Sequence, residues 1–88
     1  MAMKTYAAGL GQAVDDMQIN VKSLLITAAA ADATVTLKGE GNTQVVLAAK
    51  AGTSVSWPSG LNGGSSVPVV GPVTIDVTGV GAFARIDF

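Results

Sequence analysis

Apolar residues return at every second position in one segment of this chain after another. Val35 and Leu37 alternate with Thr34, Thr36 and Lys38, and Val55 and Trp57 alternate with Ser54 and Ser56. Val73, Ile75 and Val77 are interleaved with Thr74 and Asp76, and Ala82, Ala84 and Ile86 with Phe83 and Arg85. A period of two sends successive side chains to opposite faces of an extended backbone. Repeated this often, it confines the chain to half-buried β-strands. The one helix-friendly run, Ala28 to Ala31, is too short to be stable as a helix.

The punctuation between these runs is turn chemistry. GEGNT at 39–43 separates Thr34–Lys38 from Gln44–Lys50 and predicts a hairpin. Ala51-Gly52 leads into the strand ending at Trp57, and Pro58 stops it because proline cannot donate to a ladder. PSGLNGGSS at 58–66 reads as the longest loop, and Val67 to Val70 as a short edge strand interrupted by Pro68. Near the start, Met17, Ile19 and Val21 share one parity while Leu24 and Ile26 share the other. That change of phase predicts a bulge or strand break near Ser23, with Met17, Ile19 and Val21 facing inward. Met3 to Ala8 reads as a short first strand or an arm, loosened by Gly9 and Gly11.

The last segment predicts a second hairpin. If Val73, Ile75 and Val77 share the core with Ala82, Ala84 and Ile86, the opposed pairs are Val77–Ala82, Ile75–Ala84 and Val73–Ile86. A two-residue turn at Gly79-Val80 then closes it, with Asp76 opposite Phe83 and Thr74 opposite Arg85 on the outer face. Phe83 is thus expected outside, where a large aromatic is best explained by cover from another subunit. The expectation for residues 1–88 is one all-β domain. It is read as a small antiparallel β-sandwich, jelly-roll-like, of about seven to nine short strands, with residues 1–11 as a flexible N-terminal arm.

Composition narrows the function. Charged residues make up 12% of the chain and hydrophobic residues 49%. The charged share is about half the usual figure of roughly 25%, which suits a surface largely covered by partners. A net charge of −1 leaves no electrostatic footprint for nucleic acid. The uncharged stretch from Ala51 to Ile75 carries Pro58, Pro68 and Pro72, which excludes a membrane-spanning helix. No apolar signal-peptide core is visible near the start, so the expectation is assembly in a cytoplasm.

Catalytic chemistry has few candidates. With no cysteine and no histidine, nucleophilic triads lack a base and zinc sites lack their usual ligands. Asp15 and Asp16 are adjacent, so in an extended segment they point to opposite faces, and Asp32, Glu40, Asp76 and Asp87 are scattered. GEGN and LNGG follow neither phosphate-binding glycine spacing. No catalytic residue, cofactor, metal or small-molecule substrate is therefore assigned. Trp57 shares parity with Val55, which favours a core position over a sugar-stacking one. The interface candidates are Tyr6, Phe83 and Arg85.

Three stretches, VKSLLITAAAADATVTLKG, QVVLAAKAGTSVSW and GPVTIDVTGVGAFARIDF, carry a resemblance spanning about residues 21–88. In their strand rhythm they resemble small all-β virion proteins of tailed bacteriophages, of the capsid decoration or cement type. The resemblance implies a structural, non-enzymatic subunit that sits on the outside of a phage head. There it forms trimers or other homo-oligomers, contacts a major capsid protein and strengthens the lattice. Two other classes fit the same residues: a tail, baseplate or spike component, and a carbohydrate-binding module.

Overall fold

A computed structural model gives the architecture; it describes residues 3–57 and 67–88, with only the backbone of Val67. The strands are β1 (Met3–Ala7), β2 (Gly9–Asp15), β3 (Ile19–Val21), β4 (Ser23–Thr27), β5 (Ala33–Gly39), β6 (Asn42–Ala49), β7 (Ser54–Trp57), β8 (Val67–Val69), β9 (Val73–Thr78) and β10 (Phe83–Asp87). These ten strands exceed the number expected, because the first fifteen residues supply two strands and the break before Ser23 separates β3 from β4. The 58–66 loop expected from the sequence lies outside the described residues.

The strands form two four-stranded sheets, ordered β1-β10-β4-β7 and β2-β9-β5-β6, with β3 and β8 as a small third pair. Every paired neighbour is antiparallel. Leaving out β3 and β8, the chain visits the two sheets in a jelly-roll order. The first sheet takes β1, β4, β7 and β10, and the second takes β2, β5, β6 and β9. The fold is an all-β sandwich, as the alternation requires.

The core is the meeting of the two inner faces. Leu24, Ile26, Ala84 and Ile86 come from the first sheet; Val35, Leu37, Val73, Ile75 and Val77 come from the second. Ile19, Val21 and Val69 extend this core under the small pair. Among the described residues every buried side chain is apolar. Each fully buried aliphatic contributes on the order of 1.5–3 kcal/mol, so the sandwich is held by these few layers.

The hairpin expected at 34–50 forms: β5 pairs with β6, and Val35 and Leu37 are buried while Thr34, Thr36 and Lys38 face outward. Its ladder slips between Leu37 and Lys38, which pair with Val45 and Thr43 and leave Gln44 as a bulge.

The hairpin expected at 73–86 does not form. Val73, Ile75, Val77, Ala82, Ala84 and Ile86 are all buried, but β9 pairs with β2 and β5 while β10 pairs with β1 and β4. The chain crosses from one sheet to the other between Thr78 and Phe83. The apolar stripes of β9 and β10 therefore meet across the core instead of lying side by side, and the Asp76–Phe83 and Thr74–Arg85 pairs are absent. Parity fixes which side of a strand is apolar; it does not fix which strand lies alongside. Gly79, at φ 121°, makes the crossing: a Cβ there would sit 2.8 Å from that of Ala33.

Met17 is a second correction. It is 73% exposed, whereas Ile19 and Val21 are buried. The Asp15 carboxylate accepts the Met17 amide at 3.0 Å, turning the chain before β3 begins.

Candidate functional site

The outer face of the first sheet carries Phe83 and Arg85, two of the interface candidates. Ladder registers place Ala7, Phe83, Thr27 and Ser54 in one row across β1, β10, β4 and β7. The next row is Thr5, Arg85, Leu25 and Ser56, and the third begins Met3, Asp87, Ser23. Phe83 is 43% exposed, flanked by the small side chains of Ala7 and Thr27 with Leu25 on the diagonal. The result is a flat patch with an aromatic and an aliphatic near its middle and hydroxyls along the β7 side.

Its charge is balanced. Asp87 accepts the Ser23 hydroxyl at 2.6 Å, and the Arg85 guanidinium lies 4.0 Å from the same carboxylate oxygen. A pair this open to solvent contributes little stability. Arg85 is therefore free to turn toward another surface.

The structure brings Phe83 and Arg85 onto one face and places Tyr6 on the other. Tyr6 lies opposite Ala84, so its ring points between the sheets, where it packs against the core. Its hydroxyl donates to the Ala13 carbonyl at 3.0 Å, and burial pushes its pKa above the ordinary 10.0. The neighbouring Lys4 ammonium donates to the Val14 carbonyl at 2.8 Å and lies 5.8 Å from the centre of the Phe88 ring. Gln12 Nε2 donates back to the Ala7 and Gly9 carbonyls at 2.8 and 3.1 Å. Met3–Ala7, within the segment read as a short first strand or an arm, forms strand β1 and is tied to β2 by these contacts.

Leu25 is the residue that sequence reasoning missed. Its signal was present: it is the middle of three consecutive apolar residues, Leu24-Leu25-Ile26, and only two of them can face the core. Trp57 lies opposite Leu24 and packs against the core, so its ring is not presented on the outer face.

The outer face of the second sheet is different. Thr34 and Thr78 share a hydroxyl hydrogen bond of 2.8 Å, and Asp76 pairs with Lys38 at 3.0 Å. Asp76 also accepts the Gly11 amide at 2.6 Å. Its pKa is held below the ordinary carboxylate value, first by that amide and then by Lys38. These contacts satisfy one another within the sheet. Among the described residues there is no enclosed cavity and no cluster of three acidic, histidine or cysteine side chains.

Comparison with protein-family models, with curated proteins and with solved structures gives no match.

Proposed function

We propose that this chain is a structural subunit of a bacteriophage particle, a decoration or cement protein on the outside of the head. The observation that carries the reading is the outer face of the first sheet: Phe83 exposed, half-buried Leu25 on its diagonal, and Arg85 beside them, held only by a long contact to Asp87 that is open to solvent. An aromatic anchor beside an arginine, ringed by small and hydroxylated side chains, is the composition of an interface centre. The jelly-roll strand order fits the architecture that the resemblance implies.

The mechanism is cover and bridging. The Phe83 face seats on the capsid lattice across a seam between major capsid protein subunits. A stable pairwise interface takes about 800 Å² per partner, roughly a sixth of this chain's 4824 Å² surface. Association into homo-oligomers lowers the area each copy must bury, because several copies bind at once. The test is binding of purified protein to undecorated capsids. Phe83→Ser weakens binding at least tenfold while the circular dichroism spectrum is unchanged. Equal binding by Phe83→Ser would remove the Phe83 face from the interface.

A further inference from the structure

The four sheet edges are not protected equally. An edge strand displays unpaired N–H and C=O groups, and chains that do not use an edge shield it with lysine, bulges, glycine or shortness. Three edges here carry such devices. β1 bears Lys4 turned inward, β2 has two register shifts and Gly11 at φ 66°, and β7 is four residues long. β6 has almost none. It is the longest strand, eight residues reading NTQVVLAA, uncharged throughout, with a single bulge near its start. Among the described residues its outward backbone groups have no further hydrogen-bond partner. Val46, at its middle, is 56% exposed.

We propose that β6 is a strand-pairing interface and that its occupant is β6 of a second copy of this chain. The ends of the strand select the antiparallel arrangement. Glu40 lies just before β6 and Lys50 just after it, and both are exposed. A two-fold axis through Val46 lays Lys50 of each copy beside Asn42 of the other and near its Glu40, so opposite charges meet at both ends. Parallel pairing would instead stack like charges. The same axis opposes the two Val46 side chains. The second sheet becomes one continuous eight-stranded sheet, built from the four strands β2-β9-β5-β6 of each copy. This interface is separate from the Phe83 face and does not depend on what that face binds.

The test is sedimentation across a concentration series with variants at Val46. Wild type shows a monomer–dimer equilibrium. Val46→Lys and Val46→Glu each raise the dissociation constant at least tenfold, with the thermal midpoint of the monomer nearly unchanged. An equimolar mixture of the two recovers association, because the axis sets lysine against glutamate. Phe83→Ser leaves the dimer intact. A wild-type chain that stays monomeric at millimolar concentration would overturn the proposal. So would Val46→Lys associating as wild type does, or a mixture no tighter than either variant alone.

Discussion

The Asp76 carboxylate accepts the Gly11 amide at 2.6 Å across the β2–β9 boundary, at the place where the ladder between those strands slips. Gly9 pairs with Val77 and Gln12 with Ile75, so the ladder leaves Gly11 without a direct partner. A side chain does there what the backbone cannot, and the second Asp76 oxygen ties the same point to Lys38 on β5 at 3.0 Å.

Asp76→Ala is therefore expected to loosen the β2 edge. A hydrogen bond to a charged group contributes about 1.5–3 kcal/mol when well desolvated. Here the carboxylate is partly open to water, so the expected loss is about 1 kcal/mol. Asp76→Asn keeps an acceptor for Gly11 and loses less. Urea unfolding measures both, and an unchanged midpoint for Asp76→Ala would show that the contact is energetically idle.

The same carboxylate sets an acid limb. Its pKa lies below the ordinary 3.8 because the folded chain favours the ionised form, through Gly11 first and Lys38 second. An acid with a depressed folded pKa adds stability above its unfolded pKa, and that stability is lost as pH falls through the folded value. The gap between wild type and Asp76→Asn is thus expected to be full near neutrality and to close below about pH 4. A gap that is the same at pH 7 and pH 2 would contradict this.

Tyr6 gives the opposite limb. Burial raises its pKa above 10.0, so the neutral hydroxyl is the form that the fold prefers. A group with a raised folded pKa adds stability below its unfolded pKa and loses it as pH rises toward the folded one. Stability should fall above about pH 10 in wild type and do so less in Tyr6→Phe. Tyr6→Phe also loses the bond to Ala13, at a cost of about 0.5–1.5 kcal/mol near neutrality. Identical alkaline unfolding of the two proteins would show that Tyr6 does not report the β1–β2 latch.

Gly79→Ala tests the crossing between sheets. The backbone there is at φ 121°, and the added Cβ would meet the Asp32 carbonyl oxygen at 2.9 Å and the Ala33 Cβ at 2.8 Å. The expected loss is more than about 1 kcal/mol. Wild-type stability in Gly79→Ala would therefore count against the crossing.

Much of this fold was legible as parity. The inward sets of β5, β9 and β10 follow from alternation alone, as does the outward Phe83. The partners of β9 and β10 did not follow, because Gly79-Val80-Gly81 has the chemistry of a tight hairpin turn as much as of a crossing. What excludes the hairpin is the rest of the sandwich: β2 and β5 take both edges of β9, and β1 and β4 take both edges of β10. Such non-local competition leaves no mark in a local window. Met17 failed for a local reason, since the parity was extended past the Asp15 turn that begins before it. Of the candidate surface, Phe83 and Arg85 were legible from the outward parity of β10. Leu25 was not placed beside them, because that needs the β4–β10 register.

The proposed structural role requires neighbours to cover this outer face, and purified virions of a phage encoding the chain would test it most directly. Quantitative mass spectrometry with electron microscopy of those particles should find copies in step with the capsid lattice, each with Phe83 seated on the shell. Particles that lack the chain, or that hold only a handful of copies with Phe83 facing solvent, would contradict the head-decoration role.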